Sequence, residues 1–156
     1  MTVAKKHTGI KRHESLHPLS HHHTNALHVA LKLRRVETDK ARESLDEVIR
    51  DLDDFWNPGG QEHFREEEEV LLGTYAEYVD ISTIPEIQEM LIEHIQIRAR
   101  INRILRAAEP DIALIHELGE VLNDHIRKEE RVIFPMIEKA IPDERLVELA
   151  EYIHEV

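Results

Sequence analysis

Two stretches of this sequence carry a histidine and a glutamate four residues apart: HFREE gives His63 and Glu67, and HIRKE gives His125 and Glu129. On a helix that spacing places an imidazole and a carboxylate on one face, one turn apart, where they can hold a metal cation together or neutralise each other as an ion pair. Nitrogen and oxygen donors of these types suit iron, manganese or zinc. The chain has no cysteine, so thiolate metal sites, thiol nucleophiles and disulfides are excluded. HxxxE alone is a weak pattern, because a buried His–Glu pair that satisfies itself fits it equally well. His116 and Glu120 match it too. Nine residues separate His116 from His125, which at about 100° per residue puts them on opposite faces of a helix, so His116 is expected on the solvent side.

The elements that must position these residues are helical. Glycine (5) and proline (6) are sparse, and no strand-length window alternates β-branched with polar residues. After a lead-in over residues 1–18, a first helix is predicted from about Ser20, its N-cap, to Val36, with Thr38 or Asp39 capping the next. The second segment presents Leu45, Ile49, Leu52, Trp56, His63, Glu67 and Val70 on one seam. NPGG at 57–60 interrupts it, and Pro58, which lacks a backbone donor, is expected to kink the helix without shifting the seam. A third helix starts near Ser82 or Thr83, with Pro85 in its first turn, and presents Ile84, Ile87, Leu91, His94, Ile101 and Leu105. The fourth runs from Asp111 to about Ala140 with Ile115, Leu118, Leu122, His125, Glu129, Val132 and Met136, and a short fifth follows Pro142. The expected fold is all-α, an up-down-up-down four-helix bundle with an additional short C-terminal helix, residues 19–156 forming one domain.

His63, Glu67, His94, His125 and Glu129 occupy seam positions where aliphatic residues are expected. Burying them unpaired costs on the order of several kcal/mol per group, and a shared metal centre accounts for all five. Carboxylates able to bridge favour two ions over one. On the first helix, Leu19 and Ala30 mark the inward direction; His21 lies nearly opposite, His22 about 60° to one side and His23 about 40° to the other. His23 is favoured as the ligand and His22 remains a second choice, while His21 and His28 point outward.

Other readings fall away. A formal charge of −12 excludes a basic footprint for nucleic acid, and no apolar run suits a signal peptide or a membrane span, which favours the cytoplasm. HESLH at 13–17 matches the HExxH zinc pattern, but Pro18 follows it at once. Glu-x-x-His, which ferritin-like di-iron sites place on two helices, occurs from Glu151 to His154 at the C-terminal end of the sequence. Glu68 and Glu69 are expected to be solvated, whereas Glu67 is set apart by its phase with His63.

One motif per helix (His23, then HFREE, then LIEH with His94, then HIRKEERVIFP) resembles the hemerythrin-like, or HHE cation-binding, family over roughly residues 13–138. The resemblance implies His23, His63, Glu67, His94, His125 and Glu129 as metal ligands. Glu129 is preferred to Glu130 because the HHE branch places its acidic ligand four residues after the histidine, whereas oxygen-carrying hemerythrins place it five after. Met90 stands where those oxygen carriers have a further histidine. The resemblance also implies a pair of non-heme Fe ions, oxo- or hydroxo-bridged, with positions left for an exogenous ligand; Zn or Mn can replace iron in a purified sample. The implied function is binding or sensing of O2, NO or peroxide, or iron handling, with no membrane and no nucleic acid as partner. A di-iron oxidase or reductase acting on a small inorganic substrate is the second reading, and a metal-free helical interaction protein the third.

Overall fold

The structure, a computed structural model, describes residues 11–154. The first ten residues of the expected lead-in, and residues 155 and 156, lie outside it. The ordered elements of the described residues are all helical. They form five rods: α1 (His17–Arg35), preceded by a 3-10 turn at Glu14–Leu16; α2 (Leu45–Phe55), α3 (Gln61–Glu66) and α4 (Leu72–Tyr75) end to end; α5 (Pro85–Arg106); α6 (Ile112–Lys128) and α7 (Phe134–Ala140) end to end; and α8 (Asp143–Leu149).

Two expected helix starts are corrected. α1 begins at His17, not near Ser20, because Pro18 falls in the first turn, where its missing N–H has no partner to lose. Ser20 is inside the helix and its hydroxyl donates to Glu130 Oε2 at 2.7 Å. α2 is capped by Ser44 rather than Thr38 or Asp39: Ser44 and Glu47 exchange side-chain and backbone hydrogen bonds in a capping box. The kink at NPGG is where the sequence puts it. Trp56–Gly60 forms a widened π turn in which Asn57 leaves the helical region (φ −112°, ψ 105°).

Two further π turns, at Glu67–Leu71 and Glu129–Ile133, shift the seams. The Leu72 N–H bonds to the Glu67 carbonyl and the Phe134 N–H to the Glu129 carbonyl, a span of five residues instead of four. Each widened turn absorbs one extra residue and moves the inward face on by one. Leu71 and Ile133 are therefore buried where Val70 and Val132 were expected, and Ile137 replaces Met136. On α5, Met90, Ile97 and Ile104 join Ile87, His94 and Ile101 inside, and Ile84, Leu91 and Leu105 are half-buried at the flank.

α1 packs along α6 and against α2, and α5 packs on α6 and α2. Gly119 permits the close approach of α6 to α1, since a Cβ there would lie 2.9 Å from the Ala30 carbonyl oxygen. Buried apolar side chains form two separate clusters. One includes Ala30, Leu33, Leu52, Ile101 and Leu118; the other includes Leu19, Leu71, Met90, Phe134 and Leu149. The chain passes from the second to the first along α1 and α5, and from the first to the second along the two kinked rods. At each passage it crosses the histidines and glutamates, so the polar residues form one layer between two apolar ones. Among the described residues no helix is long and apolar enough to cross a membrane.

Candidate metal centre

Four of the five rods deliver polar residues to this layer by the spacing that made them visible in sequence: α1 gives His23, the second rod His63 and Glu67, α5 His94, and the fourth rod His125 and Glu129. All six are buried. Their donor atoms fall into two groups, His23, His63, Glu67 and Glu129, and Glu67, His94, His125 and Glu129, each with its atoms within 4.8 Å of one another. The two glutamates belong to both. Every histidine turns its Nε2 inward. His63 Nε2 lies 2.8 Å from Glu67 Oε2, and His125 Nε2 lies 2.8 Å from Glu129 Oε2. His23 Nε2 is 2.9 Å from Glu129 Oε1, and His94 Nε2 is 3.2 Å from Glu67 Oε1. Each carboxylate thus spans the two groups with its two oxygens.

The protein's own hydrogen bonds leave this layer short of partners. His23 and His63 face each other Nε2 to Nε2 at 3.0 Å. Glu67 Oε1, Glu129 Oε1 and His125 Nε2 are buried within ion-pair distance of His94, His23 and Glu129, at 3.2, 2.9 and 2.8 Å, but none of these contacts has hydrogen-bond geometry, and a buried polar atom left without a hydrogen bond costs about 1–3 kcal/mol. A cation within each group supplies those partners at once. The donor set, imidazole and carboxylate without thiolate, fits a pair of first-row cations.

The outward nitrogens are held as well. Nδ1–H of His23 donates to Glu130 Oε2 at 2.6 Å, that of His94 to Glu68 Oε2 at 2.8 Å, and that of His125 to Glu93 Oε1 at 2.8 Å. These bonds keep the hydrogen on Nδ1 and leave Nε2 free for a metal. Glu68, expected in solvent, is instead half-buried against His94, because the layer draws in residues flanking the seam. Glu130 stands outside both groups, holding His23 from behind. Two rings add packing: Phe64 stacks on His94 with centroids 3.9 Å apart, and Phe134 on His23 at 5.3 Å. Sequence reasoning missed Glu68, Glu93 and Glu130 in this role. The available signal was an acidic residue beside a ligand, on the flank that faces the neighbouring helix.

Electrostatically the layer binds protons where a cation would sit. Burial alone would lower His23 and His94, but the close carboxylates of Glu129 and its acidic neighbours outweigh it, raising His23 well above the usual imidazole range and His94 to about 11. Burial likewise opposes the net rise of His125, which Glu129 and Glu93 produce. Burial would raise Glu67 and Glu129, and the charge of Glu129 would raise Glu67 further, yet the surrounding imidazoles hold both below the usual carboxylate range.

The remaining histidines separate. His21 and His28 are exposed. His22 is buried and belongs to neither group; its ring lies between Phe55 and His63, with centroids 5.0 and 4.5 Å away. Burial, then the neighbouring His63 and His23, lowers its pKa to about 3. His116 is half-buried rather than solvent-facing, since its Nε2 lies 2.7 Å from the Val36 carbonyl oxygen where α1 ends. In HESLH, His13 pairs with Asp143 while His17 Nε2 reaches the Arg12 carbonyl, so among the described residues the motif gathers no metal site. His154 meets buried Glu66 at 2.9 Å, away from the layer.

The family model described as the hemerythrin HHE cation binding domain matches residues 14–137. No curated protein and no solved structure matches the chain.

Proposed function

Since the chain belongs to the hemerythrin HHE cation-binding domain family, we propose that it is a non-heme di-iron protein that binds or senses O2, NO or peroxide, or handles iron. The observation that carries the reading is the sharing of Glu67 and Glu129 by two groups of buried donors, an arrangement suited to two cations bridged by two carboxylates. The alternating order in which the rods pass the two apolar clusters supports an up-down-up-down four-helix bundle, with α8 added to one end.

When bound, a pair of iron ions supplies a redox-active Lewis-acid centre for a small ligand. The chain's own residues hold it. Glu67 and Glu129 would be shared by both ions, His23 and His63 would hold one of them, and His94 and His125 the other. Glu130, Glu68 and Glu93 fix three of the imidazoles, and the apolar clusters on either side keep bulk water out. Met90, wholly buried in one of those clusters, offers no nitrogen where a fifth histidine would stand. The unpartnered atoms of Glu67, Glu129 and His125 weigh against the metal-free reading.

Elemental analysis of protein purified from iron-replete cells, with absorption spectra before and after reduction, tests the proposal. The expected result is about two iron ions per chain and near-ultraviolet absorption that reduction bleaches. Folded protein without a transition metal overturns it.

A further inference from the structure

The two cation positions differ in how their histidines are held. His94 and His125 each donate Nδ1–H to a carboxylate that is itself paired with a cation: Glu68 with Arg98 at 3.6 Å, and Glu93 with Lys128 at 2.6 Å. His23 has the same support, since Glu130 is paired with Arg12 at 3.1 Å and Arg12 lies over the Phe134 ring. Among the described residues no such carboxylate meets His63. The residue immediately before His94 is Glu93, which reaches across to His125; the residue immediately before His23 is His22, which reaches across to His63 by stacking. An imidazole therefore stands where the other half of the centre has a carboxylate. His22 Nδ1 is buried and unpartnered. The same ring lines a cleft of about 460 Å³ with Asn25, Val29, Asp54, Phe55 and Pro58, so His63 is one side chain away from an opening on the surface.

We infer that the position served by His94 and His125 retains its ion, while the position served by His23 and His63 exchanges its ion, with His22 setting the difference. This rests on the two-ion reading above. A carboxylate on the far nitrogen makes a histidine a stronger and better oriented ligand, and losing such a partner commonly lowers metal affinity about 10–100-fold. Two relays support the retained position and one the exchangeable position. The consequence is a centre that can pass through a one-ion state without losing its fold, because the shared glutamates and the three relayed rings stay in place.

Metal-free protein is loaded with Zn(II), and the bound ions are then drawn off by an excess of the colorimetric chelator pyridylazoresorcinol while release is followed over time. Two ions taken up and released in two equal phases, about tenfold or more apart in rate, is the expected result. Glu93→Gln should accelerate the slow phase about 10–100-fold, so that it merges with or overtakes a fast phase whose own rate is unchanged. Lys128→Met, which keeps the carboxylate, should act in the same direction and serves if Glu93→Gln does not fold. His22→Glu should slow the fast phase by supplying the missing carboxylate, and an unchanged melting temperature of the metal-free variant separates this from a change in overall stability. Uptake of fewer than two ions overturns the two-ion reading itself. Uptake by the wild-type protein of two ions that leave in one phase, or a slow phase that Glu93→Gln leaves unchanged, overturns the inequality and leaves the two-ion reading standing.

Discussion

Glu129→Gln is the substitution that separates a metal layer from a self-satisfied polar layer. Glu129 is fully enclosed, and its two oxygens lie 2.9 Å from His23, 3.1 Å from His94 and 2.8 Å from His125. Glutamine keeps the shape and removes the charge from both groups at once. In the metal-free protein the change breaks a buried ion pair, a loss of about 3–5 kcal/mol. In the metal-bound protein it also removes the stabilisation that binding contributes, about 2.7 kcal/mol when free metal stands at 100 times its dissociation constant. With an unfolding entropy of about 2.1 cal/mol/K per residue over 156 residues, that binding contribution corresponds to about 8 °C in melting temperature. The wild-type protein should therefore melt about 8 °C lower after chelation, whereas the variant should melt at nearly the same temperature with and without metal and carry well under two ions per chain. Circular-dichroism melts and elemental analysis measure both. A variant that keeps two ions and the full metal-dependent shift refutes the bridging role.

The same geometry carries three further expected outcomes. His23→Ala should reduce metal content, whereas His21→Ala, at an exposed position one residue from His22, should not; elemental analysis of the two variants decides it. The stabilisation from raised imidazoles in the metal-free protein is fully present below the usual imidazole pKa of about 6.5 and is lost as pH rises toward the folded value of about 11 for His94. Metal binding requires those nitrogens deprotonated, so the gap in melting temperature between metal-bound and metal-free protein should widen from pH 6 to pH 9; a constant gap contradicts the proton competition. Finally, Ile133→Ala should cost about 2–5 kcal/mol and Val132→Ala about 0.5 kcal/mol or less in denaturant unfolding, because the π turn buries the former and exposes the latter; equal costs would place the seam where an unbroken helix puts it.

Where the sequence was legible, periodicity and chemistry agreed. His63 and Glu67, or His125 and Glu129, share a face because each pair lies within one unbroken helical turn, and the wheel of α1 set His23 apart from His21 by its angle to Leu19 and Ala30. Legibility stopped one residue further on. Glu67 and Glu129 each open a π turn, so an α-helical count carried past them lands on Val70 and Val132 instead of Leu71 and Ile133. The residues that hold the imidazoles from behind were hidden for a different reason. Glu68, Glu93 and Glu130 each adjoin a candidate ligand of their own helix but serve a histidine of another, so no spacing within the chain records the contact. Their positions are nevertheless constrained: a residue one step from an inward-facing ligand is rotated about 100° away, onto the flank where two helices meet, and there a carboxylate can reach an imidazole Nδ1. The same constraint applies to His22, which occupies that flank beside His23 and brings a ring to His63 instead of a charge. A layer whose ligand set is nearly symmetric is thereby made unequal by a single flanking residue, and that inequality is a property of side-chain type at one position, not of the helical framework that both halves share.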